Sequence, residues 1–390
     1  MFYFIIFCII LFFASLDYDK RLNNQSRDLS FFILFLIFWL VAGLRYETGV
    51  DWPGYTKFFV DSESIGKVLK NAVTFHFYDQ YEFGYTLLNS VLRTFTDNVQ
   101  WLFLIIAFST NLMLFNSVKR YSDHIFISLL IYFGTIYFIL DMSGIRQCIA
   151  LNIFLLSIKY ITGRHFLKYF VTILIASMFH ITSLLLIPIY FILKIKFNNW
   201  VLLSVIIAGL FISVFKITWI IPFLKGISEL IQIEAITNRI YAYSNLSGPR
   251  IFGFGFLFNF LVFIFCIIER KKLEQNKMFN IFLNMYVISL FFYYFTWELN
   301  EFSSRFRLYF TVGNIVLFTY FLDVYKNKLN RFLVFFMIVS FSVFFGRIYF
   351  FEMQQGIAYN PYQNYLIYKV FGLKSTGQER LEKFIIIFNK

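Results

Sequence analysis

Apolar runs of about 15 to 20 residues recur from one end of this 390-residue chain to the other, and no other feature limits its fold so tightly. A helix needs about 20 predominantly apolar residues to cross a bilayer core, and fewer where the membrane thins. Twelve such runs lie at roughly residues 2–16, 30–44, 101–118, 124–140, 145–160, 166–180, 181–193, 200–216, 251–268, 278–297, 308–325 and 331–350. They are solidly apolar rather than alternating, which excludes a β-barrel. The expected fold is all-α: a polytopic helical membrane protein with about 10–12 transmembrane helices. The first run, "MFYFIIFCIILFFASL", lacks a basic leader and a small-residue cleavage site, so it reads as a retained span.

The net charge of +13 need not mean nucleic acid, because much of it is topology. Short loops rich in Lys and Arg stay on the cytoplasmic side. Alternate connectors fit that rule: "DYDKRLNNQSRD", "KRYSD", "YITGRHFLK", "KIKFNN", "ERKKLEQNK" and "KNKLNR". The opposite face then carries a large early loop (45–100), a turn at 141–145, a second loop (217–250), a short one (298–307) and the tail (351–390). The large loop holds seven Asp/Glu against five Lys/Arg. Within it, "EFGYTLLNSVLRTF" has one apolar face, as an interfacial helix or partial span does. If 166–194 were a single helix, the two later basic loops would flip outward. Two short spans meeting near His180, or a re-entrant hairpin, keep them inside. No repeat or linker interrupts the chain, so 1–390 reads as a single integral membrane domain.

A set of arginines remains that topology does not explain: Arg45, Arg146, Arg239, Arg250, Arg305, Arg307 and Arg347, all at the outer ends of spans or in outer loops. Arg146, in "DMSGIRQCIALNIFLL", stands about one turn inside a helix. A charge at the bilayer centre costs roughly 2.5–3.5 kcal/mol if it faces lipid, so Arg146 should face a polar cavity. Guanidinium forks bind phosphate oxygens bidentately, which makes such a cluster a natural pyrophosphate clamp. Pairing with outer acids such as Glu47, Asp141 or Glu301 would account for individual members equally well.

The stretch "GLRYETGVDWPGYTKFF" leaves the second run through Arg45, Glu47 and Asp51, followed by Trp52 and Tyr55. A carboxylate beside an incoming hydroxyl is a general base, and an aromatic face stacks on a sugar ring. An interfacial aromatic belt around a salt-bridged turn uses the same residue types. Glu82, in "YDQYEFGYTLL", adds a second carboxylate on that side. His180, alone in "LIASMFHITSLLLIPIYFIL", would either bond a helix carbonyl or serve a phosphate oxygen. Arg305 and Arg307, in "WELNEFSSRFRLYF", are two apart, so a helix splays them by roughly 200 degrees and directs only one into a cavity.

Cys8, Cys148 and Cys266 share no metal-like spacing, so no zinc site or disulfide framework is expected. The chain has no GxxxxGKS, HExxH, CxxC or GxSxG, and its inner loops are too short for a nucleotide-sugar domain. A transferase of this build takes its donor from the membrane.

Taken together, "LRYETGVDWPGY" (R-x3-G-x-D-x3-Y), "YEFGYTLLN", "SGIRQCIALNIFLLSIKYI", "ASMFHITSLLLIPIY", "RFRLYF" and "NPYQNY" resemble the EpsG/Wzy-like family of bacterial polysaccharide polymerases. The pieces run in order from about 43 to 365. Glu47 stands where the family varies, and the first 40 residues carry no motif. The resemblance implies a multi-pass glycosyltransferase of the bacterial plasma (inner) membrane, with its site facing the periplasm or outside. It would move a growing glycan from undecaprenyl pyrophosphate to the non-reducing end of an incoming undecaprenyl-pyrophosphate-linked repeat unit, building O-antigen, capsule or exopolysaccharide. It also implies a chain-length co-polymerase and a flippase as partners, beside membrane lipid, and puts Arg45, Asp51, Arg146, His180 and Arg305 at family positions. No cofactor or metal is expected, because arginines can neutralise the leaving pyrophosphate. An O-antigen ligase has similar needs but normally carries its very large loop late in the chain. A flippase or transporter would spread ionisable residues through mid-membrane.

Overall fold

The structure is a computed structural model that describes residues 1–19, 21–73, 81–231, 254–351 and 353–388. Among these residues there is no β-strand; one isolated antiparallel bridge joins Arg45 to Asn364. Four of the described helices are long and apolar enough to cross a membrane: Asn24–Gly43, Gln100–Tyr121, Ile145–Thr162 and Lys328–Phe350. Seven shorter apolar helices of 10–17 residues accompany them. The chain is a polytopic helical membrane protein. Helix is the dominant form because it satisfies every backbone N–H and C=O within one segment, as hydrocarbon requires.

The chain divides into two compact units, Met1–Pro188 together with Asn327–Lys390, and Ile189–Lys326. In the first unit the helices are α1 (Phe2–Tyr18), α2 (Asn24–Gly43), α3 (Trp52–Val60), α4 (Ile65–Val73), α5 (Phe83–Phe95), α6 (Gln100–Tyr121), α7 (Ile125–Thr135), α8 (Tyr137–Leu140), α9 (Ile145–Thr162) and α10 (Phe166–Ser177). The helix Lys328–Phe350 and two tail helices, Tyr365–Val370 and Gly377–Phe388, complete it. Helix α6 packs on α2 and α9, α9 on α10, and α7 on α1 and Lys328–Phe350. An apolar cluster of Tyr55, Phe59, Tyr85, Leu102, Phe103, Ile106, Ile145 and Ile149 seats α3 and α5 on α6 and α9.

Helix α2 starts six residues before its apolar run. The Asn23 side chain accepts the Ser26 N–H at 2.8 Å and caps the helix there, so a polar first turn extends the span. Asn327 caps the helix Lys328–Phe350 in the same way, through the Leu329 N–H at 2.9 Å. Helix α7 breaks at Ile136, and after α8 the turn 141–144 leads into α9.

The segment 166–194 is not one helix. Helix α10 ends at Ser177, and after His180 a 3-10 turn, Ile181–Leu186, runs back along it. The Tyr169 hydroxyl donates to the Leu186 carbonyl at 2.7 Å, which fixes the doubling-back. The chain therefore reverses at His180, as the charge pattern of the later loops requires.

In the second unit, the helix Phe279–Phe295 packs on Asn199–Val214 and on Asn300–Thr311. Glu298 is 2% exposed, and its carboxylate accepts the N–H groups of Trp219, Ile220 and Ile221 at 2.6, 3.0 and 3.2 Å. It thus caps the helix Ile220–Ile231, an anion held at the positive end of a helix dipole.

Candidate active site

The segment Arg45–Asp51 is clamped between the 141–144 turn and the tail. The Tyr46 N–H donates to Gln363 O and the Tyr365 N–H to Leu44 O, both at 2.8 Å. Arg380, 5% exposed, donates to Glu47 O at 2.9 Å and to Pro361 O at 3.1 Å. The Val50 N–H donates to Ser143 Oγ at 2.9 Å, and Ser143 Oγ lies 2.7 Å from the Tyr359 hydroxyl. Gly49 has φ +99, and a Cβ there would stand 2.3 Å from Met142 O, so only glycine fits this turn. The clamp delivers Asp51, exposed, to the start of α3.

Helix α5 docks its first turn against the reversal at the end of α10. The Gly84 N–H donates to Met178 O at 2.7 Å. A Cβ on Gly84 would lie 2.8 Å from that oxygen and 2.9 Å from Met178 Cβ, so the close approach needs glycine. The docking sets Glu82 between two partners. Its Oε1 accepts the Ile181 N–H at 3.1 Å, and its Oε2 pairs with Arg146 Nη1 at 2.5 Å. The Arg146 guanidinium also lies 4.5 Å from the Tyr81 ring centroid and 6.0 Å from that of Tyr85, and it hydrogen-bonds the Tyr55 phenol. Arg146 Nε is buried without an acceptor among the described residues. The Arg146 and Glu82 side chains keep 23% and 16% of their exposure, so solvent reaches the pair.

Tyr55 is 4% exposed, with its ring inside the apolar cluster. Burial, then the Asp51 carboxylate, pushes its phenol up, and Arg146 opposes them. Tyr55 stays neutral, and its phenol meets the Arg146 guanidinium. Trp52, half-buried at the start of α3, packs against the same cluster, and its indole N–H is buried without an acceptor among the described residues.

The structure thus brings together Asp51, Trp52, Tyr55, Glu82, Arg146 and the His180–Ile181 peptide from four stretches of the sequence. The His180 Nδ1 lies 2.6 Å from Thr182 Oγ1, within its own turn. Arg45 lies just past the end of α2, where the chain enters the clamped segment. It is 2% exposed, stacks at 4.4 Å on Phe103 and donates to Ala42 O. Its burial works against its charge, with the Tyr137 and Tyr55 phenols and Asp141 in support. Arg305 and Arg307 belong to the second unit, on the helix Asn300–Thr311. Arg305 is exposed, whereas Arg307 lies 4.6 Å from the Tyr293 ring centroid. Arg239 and Arg250 lie outside the described residues, as does most of the loop 217–250.

Asp141, read from sequence only as a partner for an arginine, has a larger part in the fold. It is 3% exposed in the turn between α8 and α9, and its carboxylate meets the Tyr132 hydroxyl at 2.5 Å and Asn111 Nδ2 at 3.3 Å. Burial pushes the carboxyl up to about 7, against hydrogen bonds from Tyr132 and the attraction of Arg45. Its only signal in the sequence is an acid ending an apolar run.

A family model described as the EpsG family matches residues 28–364. No curated protein and no solved structure matches the chain significantly.

Proposed function

This chain belongs to the EpsG family, and from that premise we propose that it polymerises lipid-linked glycan repeat units. Family membership supports a polysaccharide-polymerase type of function. The finer reading is a transfer of the growing glycan from undecaprenyl pyrophosphate to the non-reducing end of the next undecaprenyl-pyrophosphate-linked repeat, at the outer face of the bacterial plasma membrane. The observation that carries it is the junction of Arg146, Glu82 and the Ile181 N–H, where a cation, a carboxylate and an aromatic wall converge from remote parts of the chain.

Glycosyl transfer from a diphosphate needs a base for the acceptor hydroxyl and positive charge for the leaving group. In this proposal Asp51 or Glu82 takes the proton. Arg146 holds the pyrophosphate. His180 orients a phosphate oxygen or relays a proton, and Trp52 borders the acceptor sugar. A co-polymerase and a flippase are the partners such a reaction calls for.

The test is the gel profile of surface polysaccharide from cells deleted for the gene and complemented with wild type, Arg146→Ala or Asp51→Asn at equal membrane levels. A ladder that collapses to a single repeat, restored only by wild type, is expected. Loss of every repeat would point to ligase or flippase, and an unchanged ladder would remove the reading.

A further inference from the structure

The Arg146–Glu82 pair occupies the two groups that the reaction needs most, and it occupies them with each other. A guanidinium carries five N–H donors. Arg146 commits Nη1 to Glu82, meets the Tyr55 phenol, and leaves its Nε–H buried with no acceptor among the described residues. It therefore has unused capacity for an anion. Glu82 is held differently at its two oxygens. Among the described residues, Oε1 accepts a backbone N–H at the start of the reversal, and Oε2 faces a side chain that can rotate.

We propose that a diphosphate displaces Glu82 from Arg146, and that the freed Oε2 is the general base. This deepens the polymerase reading above and rests on it. A diphosphate diester carries two negative charges and offers paired oxygens to a guanidinium fork, whereas Glu82 offers one oxygen and one charge. Once Arg146 turns to the diphosphate, Oε1 stays on the Ile181 N–H, so the carboxylate keeps its position while Oε2 opens to the acceptor. In the transfer step the acceptor hydroxyl gives its proton to Oε2 and its oxygen forms the new bond to the donor's anomeric carbon. The bond from that carbon to the phosphate oxygen breaks, and its electron pair leaves with the lipid diphosphate on Arg146. Glu82 then returns its proton to solvent. A carboxylate masked until the donor is seated cannot activate water or an acceptor hydroxyl prematurely. Donor before acceptor becomes the order of events.

The two functions of Glu82, competitor and base, respond oppositely to Glu82→Gln. The amide keeps an oxygen for the Ile181 N–H but loses both the competing charge and the basicity. Purified wild type and Glu82→Gln are compared for binding of undecaprenyl diphosphate in detergent micelles. They are also compared for extension of lipid-linked repeats extracted from the deletion strain, with size-exclusion elution as the check on folding. The exchange predicts binding about two- to fivefold tighter in Glu82→Gln, the relief expected from removing one ion-pair competitor. Turnover falls by about 10²–10⁴-fold, the usual contribution of a general base. Glu82→Ala, which also lacks the competing charge, gives the same pair of results. Weaker or unchanged binding in both variants overturns the exchange and leaves Glu82 a structural partner of Arg146; retained turnover overturns its role as base. If wild type itself extends nothing, the polymerase reading fails, and the binding comparison still decides the exchange.

Discussion

Arg146 Nη1 and Glu82 Oε2 stand 2.5 Å apart, an ion pair that ties the first turn of α9 to the residue preceding α5 across 64 positions of sequence. Removing one partner strands the other, three-quarters or more sheltered from solvent, at a cost of about 1–3 kcal/mol. Arg146→Ala is therefore expected to lower both protein level and polymerisation, and the double variant Arg146→Ala with Glu82→Gln to recover protein level alone. Immunoblots of membranes beside polysaccharide gels separate the two effects. Recovery of the ladder in the double variant would show the pair to be structural.

Gly84 sets the approach that makes this pair possible. Gly84→Ala places a methyl under 3 Å from Met178 O and Cβ, and the backbone must yield. Overpacking of this kind costs about 1–3 kcal/mol. The variant is expected to melt earlier in detergent and to lose turnover by separating Glu82 from the Ile181 N–H. An unchanged melting temperature would mean that α5 can dock elsewhere.

Asp141 predicts a pH dependence of stability. Its carboxyl is raised from 3.8 to about 7, mainly by burial, while Tyr132, Cys148 and Arg45 face it. The folded protein thus binds a proton that the unfolded chain releases near pH 4. The contribution is full below the unfolded value and is lost as pH rises through about 7, by up to about 4 kcal/mol over the window. Wild type should melt at falling temperature from about pH 4 to 7, and Asp141→Asn should flatten that slope. An equal slope in both would assign the dependence to other groups.

Polymerisation by the purified protein should survive EDTA, since guanidinium groups neutralise the leaving diphosphate in this account. Loss of activity in EDTA with recovery on adding Mg would contradict it.

The spans were legible because bilayer thickness imposes its length on composition. The start of α2 was not, because one capping residue, Asn23, outweighs the polarity of the turn that follows it. The reversal at His180 could be read indirectly, from the sidedness that the later basic loops demand. Arg305 and Arg307 diverge as a spacing of two on a helix dictates, one exposed and one against Tyr293. Nothing in the sequence could pair Arg146 with Glu82, because the contact depends on Gly84 meeting Met178. Arg45 also eluded it: a guanidinium at a span end looks available, yet the tail bridge at Asn364 and the Phe103 ring enclose it. Asp141 passed as a boundary acid because burial is a tertiary property.

The most direct measurement places purified protein in liposomes with the lipid-linked repeat that accumulates in the deletion strain, and follows product length on a gel. A ladder from wild type, with none from Arg146→Ala or Glu82→Gln at equal folded protein, is the predicted result. A wild-type reaction that leaves only the single repeat, or a ladder that survives both substitutions, would contradict the account.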